Sequence, residues 1–281
     1  MRAEAPTIDH AVINVLYDMD TAVERFRRLG FTLTERGYHS LGSINHLMMF
    51  GSDYLELIGV ERDATPIRRE VADSPQGLNG LVFGTGDAER CHRELAAEGI
   101  DAEPPLAFGR PVAVDGSERR AEFRTVRLKP GVARGGRVYF CQHLTRQWVW
   151  HPPWQVHANG AQALQSFAIV VPDPAAEAAL YERMLGIPAQ RISAGESELS
   201  FGGFSLRLIS EDVHRRRFGS HGCDAGGRDS YMAALTVRTD ALSKLRACVA
   251  AAGLDGQIEN GAASVIVPAS LAFNCVLEFV E

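Results

Sequence analysis

Two residues of this chain carry polar chemistry where strand-like runs otherwise carry carbon. His10 lies in Ile8-Asp9-His10-Ala11-Val12-Ile13-Asn14-Val15, and Glu56 in Tyr54-Leu55-Glu56-Leu57-Ile58-Gly59. A neutral imidazole and a carboxylate are ligands for Zn, Mn, Ni or Fe, the carboxylate drawing toward harder ions. Two ligands hold such an ion poorly, so a third is needed. Glu56 could instead act as a base toward a substrate. The plain alternative is a hydrogen-bonded pair in a partly wet cavity, with no metal.

Both side chains must be positioned by strands. Alternation puts Tyr54, Glu56 and Ile58 on one face and His10 on the face of Val12. Between the two runs, Asp20–Leu29 reads as a helix with Ala22, Phe26 and Leu29 on one stripe. Asp18 or Asp20 is the expected N-cap, and Gly30 the left-handed C-terminal stop. Three strand candidates follow, Phe31–Glu35, Asn45–Phe50 and Tyr54–Val60, giving the order β-α-β-β-β.

The same order comes round three more times. Further helices are predicted at Asp87–Glu98, Asp173–Leu185 and Asp240–Ala252. Strands precede them at Leu78–Gly84, Leu164–Val171 and Tyr231–Val237, and closing runs follow at Arg137–Leu144, Phe204–Ile209 and Val276–Val280. In the second module Pro104, Pro105, Gly109 and Pro111 predict a loop in place of the second strand. Glu211–Ser230 reads as a long loop, with His214-Arg215-Arg216-Arg217 as solvated charge. Trp150–Gly160, with Pro152 and Pro153, reads as the crossing between two halves, anchored by Trp150 and Trp154. The expected class is α+β, with four βαβββ modules paired into two barrel-like domains, residues 1–150 and 160–281.

Composition narrows the function. At 281 residues, 46% hydrophobic and 23% charged, the chain reads as a globular protein. A net charge of −6 argues against nucleic acid as the partner. No apolar run approaches a membrane span, and five scattered cysteines without CxxC spacing fit a reducing compartment. The expected setting is cytoplasmic, with a small-molecule ligand, no membrane, and a homodimer as one oligomeric option. No Gly-x-Ser-x-Gly elbow or phosphate-binding loop is present.

Paired βαβββ modules with His in the first strand and Glu in the fourth resemble the vicinal oxygen chelate superfamily, of the glyoxalase, bleomycin-resistance and dioxygenase type. Gly42-Ser43-Ile44-Asn45-His46, Phe140-Cys141-Gln142-His143 and His157-Ala158-Asn159-Gly160 add to the likeness with its glyoxalase-like branch. The resemblance implies metal ligands from first and fourth strands: His10, Glu56 and Gln142, with Gly80 at the remaining position. Only one of Gln142 and His143 can face the cavity; Asn45 and His143 are the substrate-side candidates. The second pair maps to Ser166, Arg207, Ala233 and Glu278, which is degenerate as a metal site. The implied function is a metal-assisted isomerase or lyase with Glu56 as its catalytic residue. A metal-free binding protein is the alternative, and a ring-cleaving dioxygenase ranks lower.

Overall fold

A computed structural model describes residues 4–114 and 116–281. The first eight strands are β1 (Ile8–Leu16), β2 (Gly37–Tyr38), β3 (Ile44–Met49), β4 (Tyr54–Gly59), β5 (Gly77–Gly84), β6 (Leu106–Val114), β7 (Ser117–Arg127) and β8 (Arg137–His143). They form one sheet in the order β2-β3-β4-β1-β5-β8-β7-β6. The next eight are β9 (Ala161–Val170), β10 (Gln190–Ser193), β11 (Glu196–Phe201), β12 (Phe204–Ile209), β13 (Tyr231–Thr239), β14 (Glu259–Asn260), β15 (Ser264–Val267) and β16 (Val276–Val280). Their order, β10-β11-β12-β9-β13-β16-β15-β14, repeats that of the first sheet. In each module the first and fourth strands run parallel, and the two first strands of a pair meet antiparallel at the centre. The α+β class and the four paired modules are therefore as the sequence implies.

The helices are α1 (Met19–Arg28), α2 (Arg69–Ala72), α3 (Ala88–Ala97), α4 (Pro174–Leu185), α5 (Glu211–Phe218) and α6 (Leu242–Ala251). All four predicted module helices are present. Asp87 and Asp173 cap theirs by accepting backbone amides, as expected of an N-cap. Asp18 occupies the N-cap of α1 but makes no side-chain capping bond, and Asp20 pairs with Arg36 instead. Met19, Ala22 and Phe26 of α1 meet the odd-numbered side of β1, Ala11, Ile13 and Val15, in one apolar core that runs on into the second sheet. Beyond the start of the strand, His10 and Val12 of β1 face the interior of the first barrel. No helix among the described residues is long and apolar enough to cross a membrane.

Three expectations fail locally. Phe31–Glu35 is no strand: Thr34 ties this segment to β3 through Leu47 and His46, partly by its side chain. The segment rich in Pro and Gly forms β6 after all, because β6 is the outermost strand and an edge tolerates Pro111. Glu211–Ser230 contains α5, capped by Ser210. Its acidic first turn and basic last turn match the helix dipole, so the arginine run is helical surface.

The two sheets are joined where the end of β3 and the start of β4 meet the chain entering β9. His157 accepts from the Thr32 amide through Nδ1 and donates to the Met49 carbonyl through Nε2. Asp53 accepts from the Leu164 amide at 2.8 Å. Burial pushes the Asp53 carboxyl up to about 6, against the pull of the Leu164 and Ser52 hydrogen bonds. A folded-state value above the unfolded one favours the protonated form, so this contribution is present below about pH 4 and lost as the pH rises through about 6. Asp53→Asn keeps an acceptor for Leu164 and removes the titration. In urea unfolding, the stability of the wild type relative to Asp53→Asn should fall by about 2–3 kcal/mol between about pH 4 and 7. A difference that stays constant across that window refutes the assignment.

Candidate functional site

The interior of the first barrel is built around an irregularity in β1. Ile8 pairs with Phe83 and His10 with Val82, so Asp9 has no partner on β5 and forms a bulge. A bulge aims two successive side chains to one side. Asp9 and His10 are accordingly both buried and bonded to each other, His10 Nδ1 to Asp9 Oδ1 at 2.5 Å. Asp9 also meets His143 Nε2 at 3.1 Å. Burial alone would raise the Asp9 carboxyl, but His143 and the hydrogen bonds from both imidazoles hold it well below the usual carboxylate range.

With Nδ1 committed to Asp9, His10 points Nε2 into the barrel. Its ring is stacked on Tyr54 with centroids 4.3 Å apart, and Tyr139 approaches by its edge. Nε2 lies 3.6 Å from Glu56 Oε2 and 3.4 Å from the Tyr139 hydroxyl. Asn45 donates its amide to Glu56 Oε1 at 2.7 Å, which leaves Oε2 turned toward His10. His10 and Glu56 are 3% and 5% exposed, and the cavity between them is about 30 Å³, room for about one water or ion. The structure brings His10, Glu56 and Asn45 together.

Gln142 is not with them. Alternation on β8 sends Tyr139, Cys141 and His143 inward and Gln142 outward. There its amide donates to the Gly86 carbonyl and its oxygen accepts from the Ala88 amide at the start of α3. The third-ligand expectation is corrected on this point: Gln142 holds a helix terminus. Gly80 has no side chain to contribute, and a Cβ there would lie 2.7 Å from the Val12 side chain. His143 faces inward but meets Asp9, Phe123 and Trp150 rather than the His10–Glu56 pair. His46 is turned away, bonded to the Thr34 carbonyl and approached by Arg36.

The reading of the sequence missed several groups. Tyr139 and Cys141 share the face of His143 and could have been found by counting in twos. Burial pushes the Tyr139 hydroxyl up, Glu56 adding to it, and burial with Asp9 and Glu56 does the same to the Cys141 thiol. His39, Arg68 and Arg110 line the far wall of the cavity. Burial, then Arg68 and Arg110, hold the His39 imidazole well below its ordinary value, so it is neutral. Nothing in the local sequence marks these three.

A divalent ion can be tested against two donor sets. At His10 and Glu56 the two donor atoms lie 3.6 Å apart, close enough for one ion to be held by both. The imidazole is backed by a carboxylate, as metal-bound histidines are, and the Tyr139 hydroxyl is beside it. This set fits. Among the described residues one group of three His, Cys, Asp or Glu donors converges within 4.8 Å: Asp9, Cys141 and His143. Its carboxylate is already shared by two imidazoles, His10 and His143, so it fits less well. In the second sheet Ser166 bonds Thr236, Arg207 pairs with Glu196, and Arg217 with Glu278. Those groups satisfy one another.

A second space lies between the sheets. This open cleft of about 880 Å³ is bordered by Asp9, Cys141 and His143 on one side and Leu164, Phe201 and Arg238 on the other.

The family described as "Glyoxalase-like domain" matches residues 8–185. The chain belongs to that family and, with the fold described above, to the vicinal oxygen chelate superfamily. A hypothetical protein from Staphylococcus aureus is similar in structure, with a TM-score of 0.70, 10% identity and 98% of both chains covered. A mutant of 4-hydroxymandelate synthase from Streptomyces coelicolor superposes with a TM-score of 0.59 at 14% identity, over 98% of this chain and 92% of that one. A xylose isomerase-like TIM barrel/4-hydroxyphenylpyruvate dioxygenase fusion protein gives 0.59 at 13% identity. All of this chain is covered there, spanning 50% of the fusion. At such identities the likeness is one of fold. Comparison with curated protein sequences gave no match.

The place of Gln142 is testable. Gln142→Ala removes two hydrogen bonds at the start of α3 and should cost about 0.5–1.5 kcal/mol in urea unfolding. Its affinity for any divalent ion should equal that of the wild type. A loss of ion affinity would return Gln142 to the interior.

Proposed function

We propose that the chain is a small-molecule enzyme of the isomerase or lyase kind, with its reactive centre at His10 and Glu56. Residues 1–150 carry that centre, and residues 160–281 support it and wall the cleft. The supporting observation is the pair itself: an imidazole oriented by Asp9, its second nitrogen 3.6 Å from the Glu56 oxygen that Asn45 leaves unbonded. Pre-aimed groups in a dry site are what proton transfer and ion binding both need.

His10 Nε2, Glu56 Oε2 and the Tyr139 hydroxyl would hold a divalent ion such as Zn, Mn, Ni or Fe. A bound ion would supply Lewis-acid polarisation of a substrate oxygen. Without an ion, Glu56 is instead the proton acceptor: Asn45 fixes Oε1, so a substrate proton is taken and returned at Oε2. Asp9 keeps the His10 proton on Nδ1 and fixes the ring plane with Tyr54. Phe108, Phe123 and Leu47 keep bulk water out.

A metal-free binding protein is the second reading, favoured by the volume of the cleft between the sheets, which His10 and Glu56 do not border. A ring-cleaving dioxygenase would need two imidazoles and a carboxylate on one ion. His10 Nε2 points to Glu56, whereas His143 Nε2 points to Asp9.

Calorimetric titration of apo protein with Zn(II), Mn(II), Ni(II) and Fe(II) separates these readings. At least one ion should bind, with His10→Ala and Glu56→Gln each weakening it by roughly 100-fold or more, while Cys141→Ser and His46→Ala leave it unchanged. Binding no better than millimolar, or an equal loss in Cys141→Ser, would remove the His10–Glu56 centre as a metal site.

A further inference from the structure

Arg110 is 3% exposed on the outermost strand β6, and its Nε and Nη2 have no hydrogen-bond partner. A buried charged group without partners is strongly unfavourable, so such donors call for an explanation. The other cation of the cavity wall needs none, because Arg68 is paired with Glu70 and reaches Ser43. His39 is neutral. Glu56, the cavity carboxylate, is held by Asn45 and acts on Arg110 through its field, with no hydrogen bond to Nε or Nη2. Arg110 is therefore the cation of the cavity wall whose Nε and Nη2 are left unpartnered.

Its surroundings are cut to fit it. A Cβ on Gly37 would lie 3.0 Å from Arg110 Cδ, 3.2 Å from its Nη1 and 2.3 Å from Asn45 Oδ1. Glycine at position 37 thus leaves the space in which the guanidinium and the Asn45 amide lie. Asn45 Oδ1 is also buried and unpartnered. Arg110 lines both the inner cavity and an outer groove of about 160 Å³ formed with Arg36, Val112, Glu118 and Trp154. It stands at the seam between β2 and β6, where the sheet fails to close and the Ser40 amide reaches the Gly109 carbonyl.

We infer that Arg110 is the anchor for a carboxylate on the substrate, which enters through the β2–β6 seam. The inference rests on the His10–Glu56 reading only for the word substrate; anion binding at Arg110 stands by itself. A planar guanidinium with two free N–H groups matches a carboxylate. The cavity admits little more than that group, so the rest of the molecule occupies the groove. Asn45 Oδ1 would accept from a hydroxyl on the same ligand. The substrate class is a small organic acid.

Acetate, with acetamide as its neutral match, tests this on the full chain at constant ionic strength. Acetate should raise the Tm saturably and shift the Arg110 Nε–H resonance; acetamide and chloride should do neither. Arg110→Met should weaken the acetate response roughly tenfold or more. It should also melt no lower than the wild type, because it removes an unpartnered buried charge. Should that variant not fold, Arg110→Gln takes its place for the acetate response. His10→Ala should keep the acetate response, which separates this inference from the metal titration. A wild type indifferent to acetate, or an Arg110 variant that responds as the wild type does, overturns it. So does a folded Arg110→Met that melts well below the wild type, since the guanidinium would then be structural.

Discussion

The hydrogen bond from His10 Nδ1 to Asp9 is the contact on which the rest of the site depends, and a misregister in the backbone makes it available. In an unbroken strand two successive side chains point to opposite faces, and one of Asp9 and His10 would enter the apolar core with Ala11 and Ile13. A carboxylate there would be buried without partners. The extra residue at Asp9 turns both side chains inward, where His143 is also waiting. From this follow the negative charge of Asp9, the fixed plane of His10, and the direction of Nε2 toward Glu56.

The second sheet shows what the same topology does without that device. The polar groups at its corresponding positions are matched among themselves: Arg207 with Glu196, Arg217 and Thr236 with Glu278, Ser166 with Thr236. Matched pairs leave those positions nothing to offer a ligand. The first sheet instead keeps an imidazole nitrogen, a carboxylate oxygen and a guanidinium edge uncommitted.

The sequence carried the periodic part of this. The returning βαβββ order, the capping aspartates 87 and 173, and the alternation around Glu56 are local patterns, and each survives in the folded chain. What it did not carry is set by partners distant along the chain. Pro111 reads as a breaker until β6 is known to be an edge. Alternation alone sends Asp9 away from His10, because a bulge is visible only against β5. Gln142 and His143 were separable only by register, and the register places His143 inward. Arg110 has no sequence signature at all; its interest lies wholly in the partners it lacks.

Those missing partners also bear on whether the molecule merely holds a ligand. A binding protein using the cleft between the sheets would need volume and a few polar contacts, and the cleft has both. It would not need Arg110 and Asn45 Oδ1 buried and unpartnered around a separate cavity of about 30 Å³. Such groups lower stability and are tolerated where function uses them. Arg110 and Asn45 line the same cavity as the oriented imidazole of His10 and the carboxylate of Glu56, so they favour a ligand in the inner cavity over one confined to the cleft.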